Sequence, residues 1–146
     1  MKVSYKNGAF VAYKDALLVF DAAEDCSGKS LRCITHAHAD HATRANESNP
    51  LMTAETYELL KAVRGLECRA NILEFGRAVE AGSVRIRTVN AGHILGSCQY
   101  AVECDDGTLL FSGDINVQDT LVTKAAESAH ADFMVVEATY GDPFFA

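Results

Sequence analysis

Three of the chain's five histidines fall in one short run, Thr35-His36-Ala37-His38-Ala39-Asp40-His41, and that run constrains everything around it. His36 and His38 are two positions apart, so on an extended segment both side chains leave the same side. Asp40 and His41 follow at a turn and aim at a second point close by. The alanine spacers at 37 and 39 leave room for the backbone to bend round an ion. Imidazoles with a carboxylate and no thiolate suit zinc or a similar borderline metal. The competing reading is a polar loop without a ligand, but short His-rich tracts are themselves a metal-binding composition.

Such a loop needs a rigid scaffold, and the rest of the sequence reads as short apolar runs broken by Gly, Asp and Asn. Residues 3–5 and 9–13 flank Asn7-Gly8, a hairpin signal because both residues tolerate positive φ. Residues 17–20 read as a strand ending at Asp21, residues 32–35 as one ending at His36, and Leu51–Met52 as a third. Residues 41–46 read as a short helix. Thr53 is placed to cap a helix over Ala54–Arg64 that Gly65 stops, with Leu59, Leu60 and Val63 on one face. Residues 71–75 and the alternating run 84–89 read as strands. Residues 99–104 and 108–111 form a hairpin around Asp105-Asp106-Gly107. Residues 133–136 read as a last buried strand, ending at Glu137. Many strands with two or three helices indicate an α+β layered protein. Asp21, His36, His93, Asp114 and Glu137 each lie just past a predicted strand, where sheets present sites.

Each of those residues has a chemical and a plain reading. His93, in Ala91-Gly92-His93-Ile94-Leu95-Gly96-Ser97, stands between glycines that let the backbone pass close to the site. Beside the histidine tract it reads as a third imidazole on the first metal; alone it would suit a satisfied buried histidine equally well. Asp114, in Ser112-Gly113-Asp114, has no helix to cap and can bridge two metals through its two oxygens; the alternative is a turn aspartate. Asp21 can accept the outer N–H of a ligand histidine, or simply end a strand. Glu137 closes an apolar run, and burying a carboxylate is costly without a partner. Asp40 and Glu137 are the acids expected to take part in catalysis. His130 lies in a polar stretch and is assigned no role.

A chain of 146 residues, 49% of them hydrophobic, can bury a real core as one domain. No apolar run is long enough to cross a membrane, and the start carries no secretory leader, so a cytoplasmic protein is expected. The five cysteines form no CxxC pair and read as reduced and mostly buried. The net charge of −7 argues against this segment gripping nucleic acid unaided. Carboxylates that hold metals are offset by the ions, however, and another part of a complete enzyme can carry a basic groove.

Taken together these residues resemble the metallo-β-lactamase superfamily. Residues 36–41 match its HxHxDH signature, His93 and Asp114 its next two motifs, and Asp21 the aspartate that ends an early strand. Three stretches narrow the resemblance: Gly92-His93-Ile94-Leu95-Gly96-Ser97, Phe111-Ser112-Gly113-Asp114 and Glu137-Ala138-Thr139-Tyr140-Gly141. They are similar to the β-CASP branch, which includes the nuclease of messenger-RNA cleavage and polyadenylation, its archaeal relatives, RNase J and DNA-repair exonucleases. The ending Gly141-Asp142-Pro143-Phe144 is similar to archaeal and bacterial 3′-end processing factors and ligase-associated exonucleases.

The resemblance implies an αββα sandwich, here its N-terminal half over residues 1–146, without the β-CASP insert and C-terminal half. It implies two zinc ions: His36, His38 and His93 hold one, Asp40 and His41 the other, and Asp114 bridges them. Asp21 orients a ligand. Glu137 is the acid that pairs with a histidine protonating the leaving group. The implied partner is RNA or single-stranded DNA. No histidine follows His130 to complete the second metal, so an incomplete second site and little activity of the chain alone are expected. An exposed inner face is also expected, open to a complementing C-terminal half or to another copy. Two other readings stay open: a thioesterase-like or lactonase-like hydrolase of the same superfamily, and a non-catalytic metal-binding module that docks with a partner half.

Overall fold

The computed structural model describes residues 1–24, 30–47, 49–139 and 141. Cys26, Tyr140 and the stretch 142–144 lie outside the described residues.

The Asn7-Gly8 signal makes a hairpin. Both residues take positive φ, 47° and 131°, and the chain reverses between β1 (Lys2–Tyr5) and β2 (Ala9–Tyr13). β2 pairs antiparallel with β3 (Ala16–Phe20). The chain then adds β4 (Leu31–Cys33), β5 (Leu51–Met52) and β6 (Asn71–Ile72), each parallel to the strand before it. The result is a six-stranded sheet in the order β1-β2-β3-β4-β5-β6.

Helix α1 (Ala54–Arg64) makes the crossover from β5 to β6 and covers the sheet's outer face. The Thr53 side chain accepts from the Thr56 N–H, and Gly65, at φ 63°, ends the helix in the left-handed region. The buried face is Thr56 and Leu60, with Leu60 packed among Ile34, Ala42, Ala45, Met52 and Leu66. Val63 is 78% exposed, which corrects the expected Leu59-Leu60-Val63 face. The helix is rotated because Thr53 and Thr56 turn inward to bond the Gly96 carbonyl, at 2.7 and 3.1 Å.

The second sheet is made by β7 (Ala78–Ala81), β8 (Val84–Asn90), β9 (Cys98–Cys104), β10 (Gly107–Phe111) and β11 (Phe133–Val135), in the order β11-β10-β9-β8-β7. All pairings are antiparallel except β10 with β11. Alternation in β8 buries Val84, Ile86 and Thr88 and leaves Arg85 outside. β7 escapes sequence reading because Ala78-Val79-Glu80-Ala81 has no strong alternation of its own.

The main core lies between the sheets. Val11, Leu18, Phe20 and Leu51 meet Ile86, Tyr100, Val102 and Leu109. The rings of Phe20 and Phe111 stack at 4.7 Å. The Tyr100 hydroxyl lies 3.0 and 2.8 Å from the carbonyls of Ile34 and Leu51, which share its one proton, so the ring fills the core while its hydroxyl ties one sheet to the other.

Two further expectations need correction. Residues 41–46 do not form an α-helix. They run as turns that end in one 3₁₀ turn, Ala45–Glu47, because His41 is tied across to Asp21 (2.9 Å). The strand expected over 133–136 is present but not buried: Phe133, Met134 and Val136 are each more than half exposed. β11 is a sheet edge, with β10 its one partner among the described residues. The layers are therefore helix, sheet, sheet, an α+β sandwich with one helical layer among the described residues. No helix among them is long and apolar enough to cross a membrane.

Candidate metal centre

The loops that leave β3, β4, β8 and β10 meet at one end of the sandwich. Asp21 directly follows β3, while His36, His93 and Asp114 each come three residues past their strands. Two glycines permit the close approach of these loops. A Cβ on Gly113 (φ 53°) would sit 2.8 Å from the Thr35 side chain, and one on Gly96 (φ 78°) would sit 2.7 Å from the Thr56 nitrogen.

Hydrogen bonding sets the direction of each imidazole. Asp21 is buried and, ionised, can only accept. It takes the Thr35 N–H on Oδ1 at 2.8 Å and the Thr35 hydroxyl on Oδ2 at 2.6 Å. The single hydroxyl proton is thereby used, so Thr35 Oγ1 must accept from His36 Nδ1–H, 2.9 Å away. The Nε2 lone pair of His36 is left facing the loops. Asp21 Oδ2 also accepts from His41 Nδ1–H at 2.9 Å, which turns the Nε2 lone pair of His41 inward in the same way. His93 is held through its backbone: Ser97 Oγ accepts its N–H at 3.0 Å and that of Ile94 at 3.2 Å.

Three ring nitrogens converge. His38 Nδ1 lies 3.0 Å from His36 Nε2 and 3.2 Å from His93 Nε2. Asp114 Oδ2 stands 3.8 Å from His36 Nε2 and 3.5 Å from His93 Nε2. One ligand atom from each of His36, His38, His93 and Asp114 fits within 4.8 Å of all the others. Donors about 2.0–2.1 Å from a tetrahedral ion stand roughly 3.3 Å apart, so this group can hold a metal ion. The other oxygen of Asp114 looks away from that group. Oδ1 is 3.6 Å from His41 Nε2, which is in turn 3.6 Å from Asp40 Oδ2.

Burial and neighbours tune these groups. Burial, helped by the adjacent His41, His93 and His38, pushes His36 down to about 2, so it stays neutral and able to coordinate. Burial also lowers His93. His41 moves the other way: burial would depress it, but the hydrogen bond and charge of Asp21, with Asp114 and Asp40, raise it. Glu137 is not a free acid. Its Oε1 accepts the Ile115 N–H at 2.8 Å and its Oε2 the Thr139 hydroxyl at 2.5 Å. Burial opposes ionisation there, but those bonds prevail and hold its pKa below the ordinary range. Glu137 thus grips the backbone next to Asp114, and its own N–H donates to Ser112 Oγ at 3.1 Å.

No family model matches the chain. Individual proteins do. It is 31% identical over 140 residues to an RNase J-like protein of Methanocaldococcus jannaschii, a match covering 88% of this chain and 32% of that one. It is 40% identical over 70 residues to the RNase aCSPSF2 of Saccharolobus solfataricus, covering 46% and 14%. Cleavage and polyadenylation specificity factor subunit 3 of Dictyostelium discoideum matches at 28% over 71 residues, covering 47% and 9%. The chain belongs to the β-CASP branch of the metallo-β-lactamase superfamily. It spans about a third of the M. jannaschii protein's length and less of the others.

Solved structures agree on the fold. A protein of unknown function from Enterococcus faecalis superposes with TM-score 0.64 at 16% identity, over 75% of this chain and 40% of that one. The diiron β-hydroxylase CmlA of Streptomyces venezuelae gives 0.56 at 13%, over 77% and 29%. The sandwich is thus of the metallo-β-lactamase type.

In this β-CASP chain Asp21, His36, His38, Asp40, His41, His93, Asp114 and Glu137, all singled out from sequence, sit at or beside this cluster, and His130 is exposed. Sequence reasoning passed over Thr35 and Ser97. Thr35 relays Asp21 to His36, and its signal was a small hydroxyl directly before a histidine. Ser97 carries the turn that presents His93, four residues on.

Proposed function

We propose that the chain is the metal-binding part of a nuclease that hydrolyses phosphodiester bonds of RNA or single-stranded DNA with two zinc ions. The observation that carries the reading is the division of Asp114. One oxygen faces His36 and His93, the other faces His41, as a carboxylate shared by two metals requires. In this reading His36, His38 and His93 hold the first zinc, Asp40 and His41 the second, and Asp114 both. Zinc bound there supplies a water acidified to a pKa near 7 and positive charge opposite the phosphate oxygens.

The protein's own part is positioning. Asp21 and Thr35 fix two imidazoles, and Glu137 fixes the Asp114 loop through Ile115. Asp40 and Glu137 are the acids we assign to catalysis. Asp40 is mostly exposed beside a cavity of about 500 Å³ that runs from His41 and Asp114 to Tyr5, Phe20 and Val136. That largely apolar cavity and the bare edge of β11 support reading residues 1–146 as the N-terminal part of the domain, with a complementing polypeptide packing beside β11. Relatives named as ribonucleases favour the nuclease over a thioesterase or lactonase.

Zinc titration by calorimetry, paired with cleavage assays, tests the reading. The expected result is one tightly bound zinc and a weaker second one. Slow cutting of labelled RNA or single-stranded DNA should disappear in Asp114→Ala. Thioester hydrolysis in place of phosphodiester cleavage, or no zinc uptake, overturns it.

A further inference from the structure

On the other side of Thr43 from the 500 Å³ cavity lies a second, smaller notch of about 120 Å³. Thr43 lines both. The notch is bounded by the turn through Arg44 and Glu47 and by Leu60, Arg64 and Leu66 at the end of α1. At roughly 30 Å³ per water it has room for about four waters, the bulk of one phosphate group.

The charges around it stand apart from the rest of the surface. Lys6, Lys14, Lys61, Arg77, Arg85 and Lys124 each pair with a carboxylate. Among the described residues Arg64, Arg69 and Lys2 have no carboxylate in ion-pairing range. Of these, Arg64 lines the notch. Arg44 is already fixed: its Nε donates to the Ala23 carbonyl at 2.6 Å and its Nη1 to Glu47. Its remaining Nη donors belong to a guanidinium already held in place, which lowers the ordering cost of a further contact. In a chain of net charge −7, a notch lined by Arg44 and Arg64 against the one carboxylate of Glu47 keeps a positive balance, so a polyanion is less repelled there than by the chain as a whole.

We propose that the Arg44–Arg64 notch seats a backbone phosphate of a single-stranded nucleic acid whose scissile bond lies at the His41–Asp114 end of the larger cavity. This rests on the nuclease reading and adds a subsite to it. The contact is to phosphate, so it fixes the strand's register and carries no base preference.

The test is fluorescence anisotropy with a short 2′-O-methyl oligonucleotide at several salt concentrations, comparing the wild-type chain with R64Q, R69Q and K2Q. Losing one phosphate contact to a single strand lowers the slope of log K against log salt by about 0.7, which is about fivefold in affinity at 0.1 M salt. R64Q is expected to show that loss and R69Q and K2Q none, because neither Arg69 nor Lys2 lines the notch. One neutral methylphosphonate linkage, moved along the oligonucleotide, should weaken wild-type binding at one position and leave R64Q indifferent there. Binding by the wild type with equal slopes in R64Q and K2Q overturns the notch and leaves the nuclease reading standing. No binding of any oligonucleotide by the wild type even at low salt overturns the notch, while cleavage by the zinc-loaded chain decides the nuclease reading separately.

Discussion

The two oxygens of Asp114 face unlike neighbourhoods. On the Oδ2 side stand three imidazoles from two loops, and His36 is fully buried. Its proton is placed by Thr35 and Asp21, so little is left to organise when an ion arrives. On the Oδ1 side stand His41 and a mostly exposed Asp40, open to the larger cavity. The difference teaches that donor atoms alone do not make a strong site. What separates the sides is how many donors converge and how completely hydrogen bonds fix them beforehand.

The sharpest way to break that comparison is Asp114→Ala, which removes the carboxylate that faces both sides. Both zinc equivalents should weaken, the second beyond detection and the first by at least the roughly 10–100-fold that loss of an orienting residue costs. Calorimetry showing one side untouched would mean the carboxylate is not shared. Next in size is Asp21→Asn. Residue 21 has φ 47°, which asparagine tolerates, so the change isolates the carboxylate. The second equivalent should weaken by roughly 10–100-fold through loss of His41 orientation. The first should change less, since Thr35 remains beside His36. Equal losses would place the orienting power elsewhere.

The smallest effect concerns the metal-free chain. The folded pKa of His36 is about 2, below its ordinary 6.5. Between those values the unfolded state binds the extra proton. The contribution of His36 to stability is therefore complete above pH 6.5 and declines as the pH falls below it, by at most about 1.4 kcal/mol per unit. Chemical denaturation of His36→Asn in chelator should give a shallower pH dependence than wild type between pH 6.5 and 4.5. An unchanged slope would mean His36 is not held neutral.

Much of the fold was legible in the chain because local rules decide it. Asn7-Gly8 sets a hairpin, and Thr53 and Gly65 bracket α1, through backbone conformations that few neighbours can override. The errors arose where tertiary contacts outweighed periodicity. Val63 lies on a plausible apolar stripe, yet α1 turns Thr56 inward to reach Gly96. Residues 41–46 have helical composition, yet the bond from His41 to Asp21 spends that turn on orienting an imidazole. The run 133–136 is apolar enough to be buried, but β11 is an edge strand, paired on one side only among the described residues.

By itself the sequence singled out the side chains that gather at the candidate metal centre and showed that Asp21, His36, His93, Asp114 and Glu137 each sit just past a strand, since both follow from residue type and local pattern. Only the tertiary structure decided that loops from two sheets bring them within bonding distance of one another. It also decided which nitrogen of His36 and His41 points inward, and that Asp114 divides its oxygens between two groups. Those are long-range facts. They depend on glycines that let separate loops touch, on a hydroxyl with one proton to give, and on a carboxylate that can only accept.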